Sequence, residues 1–260
     1  KSWSDGTTVD VRGKTKVFIQ FSESKALDEI NEVSWDEFIG WMNENYPGRR
    51  IAKIQDYVSS FLKAMFHDGK IKRIPILRNP DQESDVGRSL SEDEVLSLEA
   101  NIKSQVLRLQ VWMQLKMGMR SGEVLLLEKD RIDLKAEVIK LRAGDTKTRS
   151  ARVVPVHPDV LPLLKDQIET SEGSHFLFPS PIDVGRSVGP NGNRTAWLKL
   201  LGRAGIKCRR HDLRHTAATR LARDNVSPMI AARILGMSLE VYDRIYCKPT
   251  DDDLKEAFRK

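Results

Sequence analysis

HDLRHTAATRL, residues 211–221, is the stretch from which the rest of the chain can be read. Eleven positions hold two histidines, His211 and His215, two arginines, Arg214 and Arg220, and one acid, Asp212. The wider segment 191–223 carries nine basic side chains (Arg194, Lys199, Arg203, Lys207, Arg209, Arg210, Arg214, Arg220, Arg223) against Asp212 alone. A polyanion site needs such a local field, whereas a solvated face needs only balanced charges. Residues 212–223 read as a helix. An arginine fork can meet a phosphate or carboxylate with parallel hydrogen bonds, which lysine cannot do.

Downstream, residues 228–235 and 239–246 read as helices, and Thr250 with Asp253 caps a short tail helix whose apolar residues are Leu254, Ala257 and Phe258. Upstream, helices are expected at 158–170 and 193–204. Val138, Ile139 and Leu141, a turn at Gly144 and Asp145, and then Val153, Val154 and Val156 make a β-hairpin. Helical patterns cover 107–117 and 123–127, and a capping box, Ser91 with Glu94, opens another helix. Before that, Pro75, Asn79, Pro80, Asp81 and Asp85 punctuate an aperiodic stretch that reads as a linker, placed at 81–88.

The N-terminal side of this linker has its own pattern. Ile51, Ile54, Tyr57, Val58, Phe61, Leu62, Met65 and Phe66 recur at spacings of three and four up to Gly69, an amphipathic helix. Ser34 with Glu37 suggests a capping box for the helix ahead of it, which ends at Tyr46, Pro47 and Gly48. Val17, Ile19 and Phe21 alternate as a short strand would, so residues 1–24 form an uncertain N-terminal segment. A second basic run, residues 49–78, has eight Lys and Arg against Asp56 and Asp68.

With 260 residues, 40% of them hydrophobic, the chain can bury two small cores, and a net charge of +6 suits a nucleic-acid partner without requiring one. Cys208 and Cys247 are the only cysteines and form no CxxC, so neither a disulfide framework nor a zinc site is expected and a reducing, cytoplasmic compartment fits. No apolar run approaches the ~20 residues that cross a bilayer, and no signal-peptide pattern opens the chain, which starts at Lys1 and leaves room for a further segment in front.

The quoted stretch resembles the HxLRHTxATxL signature of the tyrosine recombinases, the phage-integrase type of site-specific recombinase. Gly118-Met119-Arg120-Ser121-Gly122-Glu123 is similar to the GxRxxE segment of that family. Thr146-Lys147-Thr148 with Val153-Val154-Pro155-Val156 is similar to its TKT…VPV hairpin. The three segments follow the family's order. In that family the nucleophilic tyrosine lies about 32 residues after the second arginine and nine after a His or Trp that follows Leu-Gly. Counted from Arg214 and from Met237, both spacings end on Tyr246, and Tyr242, one turn earlier, is left a packing role. Met237 stands where the family has the His or Trp, and a thioether cannot donate the hydrogen bond expected there.

The resemblance implies a mainly α fold with a small β-sheet: an α+β catalytic domain at 89–260 with a tail helix at 250–260, preceded by a small all-α core-binding domain at 25–80. It implies site-specific cleavage and rejoining of DNA through a 3′-phosphotyrosyl link at Tyr246, with Arg120 and Arg214 on the phosphate. His211 would assist the phenol, Lys147 would donate a proton to the leaving oxygen, and Glu123 would orient Arg120. No cofactor and no metal is called for. Double-stranded DNA is the partner, with no membrane involved, and four protomers would pair two DNA sites by exchanging C-terminal tails. Phosphate contacts are expected from Arg49, Arg50, Lys53, Lys70, Lys72, Arg73, Arg194, Lys199, Arg209 and Arg210. Two rivals remain: a recombinase-fold DNA-binding protein weakened in catalysis, and a type IB topoisomerase-like strand transferase.

Overall fold

The computed structural model describes residues 5–22 (backbone alone over 5–10), 25–26, 29–46, 51–78, 87–145, 151–189 and 192–247. It divides into two compact units, Lys1–Val86 and Gly87–Lys260.

The first unit is helical in its described residues: α1 (Asp5–Ser22), α2 (Glu32–Asn45) and α3 (Ala52–His67). The strand expected around Val17, Ile19 and Phe21 is instead the end of α1. Helical rotation buries Val17 and Phe18 and leaves Ile19 58% exposed, whereas a strand would have put 17, 19 and 21 on one face. Phe18 packs edge-on to Phe38 and tilted on Trp35, at centroid distances of 5.1 and 5.9 Å. The cap of α2 also lies elsewhere than expected. Asn31 is the N-cap: its Oδ1 accepts from the backbone N–H of Val33 and Ser34, and the Ser34 hydroxyl accepts from the Asn31 N–H at 2.9 Å. Ser34 therefore fills the third helical position usually held by Glu or Gln, and Glu37 is free to pair with Lys25. On α3, Ile54, Val58 and Leu62 are buried, while Phe61 and Phe66 stay partly exposed.

The second unit begins with α4 (Glu92–Ala100), capped by Ser91 and Glu94 as expected, followed by α5 (Gln105–Leu115) and α6 (Ser121–Leu125). The hairpin is present as β2 (Val138–Leu141) and β3 (Arg152–Pro155), and β1 (Ile132–Asp133) extends it to a three-stranded antiparallel sheet of order β1-β2-β3. Ile139 faces Val154 across the register, and both are fully buried against α5 residues Leu109 and Met113. Then come α7 (Val160–Thr170), α8 (Arg194–Ala204), α9 (Arg210–Arg223), α10 (Pro228–Leu235) and α11 (Leu239–Tyr246). Seven consecutive residues of α9, Asp212 to Ala218, are buried, so this polar helix runs through the middle of the unit.

Residues 146–150 and 248–260, with Lys147 and the tail helix, lie outside the described residues, as do Arg49 and Arg50.

Candidate active site

The site forms where α9 passes the C-terminal end of α10. The last carbonyls of a helix have no partner within it, and here each of three takes an arginine. Arg152, on β3, donates from Nε to the Ile234 carbonyl at 2.9 Å. Arg214, on α9, donates to the Leu235 carbonyl and, through its other terminal nitrogen, to the carbonyl of Gly118. Arg120, at the N-cap of α6, donates to the Gly236 carbonyl at 2.7 Å. The partial negative charge at a helix C-terminus favours these cations. Gly236 closes α10 with φ of +65°, and a Cβ there would lie 2.7 Å from the Arg152 side chain, so the close packing of guanidinium on turn requires glycine.

Glu123 ties two of the arginines together. Its carboxylate accepts two hydrogen bonds from Arg152, at 2.8 and 2.7 Å, and one from Arg120 at 2.8 Å; it also accepts from the Arg120 backbone N–H at 2.8 Å. Burial would raise its pKa, but the Arg152 hydrogen bonds and charge, with those of Arg120, hold the carboxyl below its usual range. Burial, with Arg120 and Arg152 nearby, lowers the pKa of Arg214, which stays cationic at neutral pH. Of five guanidinium N–H donors each, Arg120 and Arg214 give two to these protein acceptors, and the other three of each have no protein acceptor among the described residues.

Tyr246 occupies the last turn of α11, half-buried against the cluster of Ala218, Ala232 and Leu235. Its hydroxyl lies 2.6 Å from Nδ1 of His215. Burial raises the phenol pKa, an effect partly offset by Arg214. Tyr242 is fully buried, and its hydroxyl donates to the Ala218 carbonyl at 3.3 Å. Met237, half-buried, packs in the same apolar cluster as both tyrosines.

Of the residues singled out in the sequence, Arg120, Glu123, Arg214 and Tyr246 come together. His211 is exposed at the edge, its ring 4.8 Å from that of His215; desolvation, with His215 and Arg214 close by, pushes it down to about 4. The side chain on the Tyr246 hydroxyl is His215, one helical turn further along α9. Sequence reasoning also missed Arg152, although its place one residue before Val153 and Val154 puts it in register with the inward-facing Val154. A cation on the buried side of a strand must be paired, and that was the available signal.

The basic candidates separate by environment. Lys53, Lys70, Lys72, Arg194 and Lys199 are exposed. Arg73 pairs with Glu32 at 2.8 Å and Arg209 with Asp212 at 3.0 Å. Arg210 is only half-exposed: it packs over Trp197 and donates to the Gly192 and Asn193 carbonyls, a role in holding the start of α8. Among the described residues, Glu128, Asp130 and His175 are close enough to consider as metal ligands, but both acids already pair with Arg131.

Among solved structures, the fold is similar to the Tn1549 transposon integrase in complex with a circular intermediate DNA, with a TM-score of 0.82 at 17% identity over 99% of this chain and 94% of that one. A lambda integrase tetramer bound to a Holliday junction is similar with a TM-score of 0.75 at 17% identity, over 91% of this chain and 73% of that one. These show that the fold is the one found in these integrases. The chain belongs to the phage integrase family, whose profile matches residues 88–252. It is similar to the tyrosine recombinase XerA of Pyrococcus furiosus, 29% identical over 98% of this chain and 91% of the relative. A tyrosine recombinase of Thermosipho africanus is 28% identical over 91% of this chain and 86% of the relative. The chain is thus a site-specific DNA recombinase, of a family whose general chemistry runs through a phosphotyrosine intermediate. No helix among the described residues is long and apolar enough to cross a membrane.

Proposed function

We propose that Tyr246 is the nucleophile of the recombination reaction and that Arg120 and Arg214 hold the phosphate it attacks. The observation that carries this is the convergence of α9 and the C-terminal turn of α10, which leaves the free guanidinium donors of both arginines beside the helix that bears Tyr246. The phenol oxygen forms a bond to phosphorus, the bond from phosphorus to the 5′-oxygen breaks, and that oxygen leaves as a 5′-hydroxyl. The 3′-phosphotyrosyl ester keeps the phosphoester bond, so a 5′-hydroxyl from another strand can reverse the step. Lys147, between β2 and β3 in sequence, supplies the proton to the departing oxygen. His211 faces the phosphate from the edge, beside Arg214, and Glu123 orients Arg120 through two hydrogen bonds.

The helical first unit serves as the core-binding domain, with Lys53, Lys70 and Lys72, together with Arg49 and Arg50, on DNA phosphates. Arg194, Lys199 and Arg209 do the same from the second unit. The assembly is a tetramer on two paired DNA sites inside the cell, joined by the 250–260 tails. An open cleft of about 1530 Å³ between β3 and the α10–α11 corner, whose lining includes the exposed Met229, Ile230 and Leu239, fits an apolar tail bearing Leu254 and Phe258. Met237 leaves room for the rival reading of a recombinase-fold DNA-binding protein weakened in catalysis, because its thioether supplies no donor.

A DNA duplex nicked so that the cleaved fragment diffuses away tests the central claim. Covalent protein–DNA complex should accumulate with the intact chain and with Tyr242→Phe, and should be absent with Tyr246→Phe. Covalent complex surviving Tyr246→Phe would refute the assignment, and its absence from the intact chain would leave a DNA-binding protein.

A further inference from the structure

His215 was not assigned a task by the sequence, yet it makes the one hydrogen bond of the Tyr246 hydroxyl among the described residues. At 2.6 Å the contact is short for an uncharged O–H···N pair. The ring lies tilted to that of Tyr246, 5.7 Å between centroids, which leaves Nδ1 in line with the hydroxyl and the other nitrogen turned away. On that other side is the backbone of Gly87, the first residue of the second unit. A Cβ on Gly87 would lie 2.2 Å from Cδ2 and 2.5 Å from Nε2 of His215, and 2.9 Å from a carboxylate oxygen of Asp212. Such packing holds the imidazole on its edge and fixes the nitrogen that faces the tyrosine. The next residues keep this strap in place: Arg88 pairs with Glu94, and the Leu90 N–H donates to the Thr216 hydroxyl of α9 at 2.9 Å.

We propose that His215 is the proton acceptor for Tyr246, a catalytic residue that takes the phenol proton on Nδ1 as the oxygen attacks phosphorus. The proposal rests on Tyr246 being the nucleophile. In the step, the O–H bond of Tyr246 breaks as the oxygen–phosphorus bond forms, the proton passes to Nδ1, and the imidazolium returns it when a 5′-hydroxyl re-forms the original ester. The electron pair of the broken phosphorus–oxygen bond leaves on the 5′-oxygen, which is protonated by a separate donor. His211, the alternative base, is one turn back and makes no hydrogen bond with the phenol.

The charges around His215 are compatible with this. Tyr246 faces it from α11. From α9 and its cap come His211, Asp212, Arg214 and Arg209; from the strap comes the uncharged Gly87. Burial lowers the pKa of His215, and Arg209 and Arg214 act in the same direction against Asp212, so the ring is neutral and able to accept a proton near pH 7.

The discriminating variant is His215→Asn, whose side-chain oxygen replaces Nδ1 as a hydrogen-bond acceptor but takes no proton. Single-turnover cleavage of the nicked duplex is followed from pH 6 to pH 10 with an ordinary phosphodiester and with a 5′-bridging sulfur at the scissile bond, which leaves without needing a proton. We expect His215→Asn to cleave about 10²-fold more slowly near pH 7, the usual weight of a general base. The loss should persist with the sulfur substrate and shrink toward pH 10, where solvent can deprotonate the phenol. His211→Asn should lack that convergence at high pH. A His215→Asn rate equal to that of the intact chain, a defect removed by the sulfur leaving group, or a loss constant across the pH range would each overturn the proposal. DNA affinity and thermal unfolding establish that the variant is folded, and His215→Gln takes its place if it is not. Covalent complex in Tyr246→Phe would overturn the nucleophile itself, a result distinct from all of these.

Discussion

The two halves of the site are built differently. On the arginine side, Glu123, Arg120, Arg152 and Arg214 share seven side-chain hydrogen bonds with one another and with four main-chain carbonyls, and three of the four residues, all but Arg120, are buried. On the tyrosine side, a single hydrogen bond to His215 and an apolar cluster hold a residue in the last turn of its helix. The proposed phosphate clamp is thus preorganised by a network in which each member has at least two partners, whereas the proposed nucleophile is held by one hydrogen bond and apolar packing. A reaction that must run forward with one strand and backward with another benefits from this division, because charge stabilisation loses value if its dipoles must reorganise.

The contrast can be broken by experiment, beginning where the effect is largest. Glu123→Gln removes the negative charge between two cations and leaves the buried Arg152 without a counter-ion. Loss of one member of a buried pair costs about 3–5 kcal/mol, so thermal or urea unfolding should show a large destabilisation. If the change were under ~1 kcal/mol, the size of an exposed ion pair, the arginine side would not be the rigid half.

The pH dependence should sharpen the same point. The carboxyl of Glu123 titrates below its unfolded value of about 4.5, so its contribution is complete above that pH and is lost as pH falls through the lowered folded value. The stability gap between the intact chain and Glu123→Gln should therefore narrow in acid, and a gap that widened there would reverse the sign. The smallest effect belongs to the other half. Tyr246→Phe deletes one half-buried hydrogen bond and should cost about 0.5–1.5 kcal/mol while abolishing covalent chemistry. A destabilisation matching that of Glu123→Gln would erase the distinction.

How much of this was legible beforehand varied with the kind of interaction. Arg120, Arg214 and Tyr246 could be chosen from motif and spacing, and the Ser91 capping box and the hairpin from local patterns. The end of α1 was misread because Val17, Phe18, Ile19, Gln20 and Phe21 satisfy both a strand period and a helix period, and only packing on Trp35 and Phe38 decides between them. The choice between His211 and His215 could not be made from α9 alone. They are four residues apart and share a face, and which one meets the phenol depends on how α11 lies across that face. The carbonyls of Ile234, Leu235 and Gly236 were invisible because every residue has one. Their importance comes from being the unpaired end of a helix, and although Arg120 and Arg214 carry a motif and Arg152 an inward strand position, nothing in the sequence pairs these three side chains with those carbonyls.

The corner after α10 also acts as a ruler. Three guanidinium groups hold its last turn, and α11 resumes after only Gly236, Met237 and the N-cap Ser238. The offset of the phenol from the arginine cluster is therefore measured out by three residues of backbone and two turns of helix. One residue inserted within α11 ahead of Tyr246 would swing the phenol about 100° around the helix axis and away from the arginines, while Tyr242, a turn nearer, is too short a mark on the same scale.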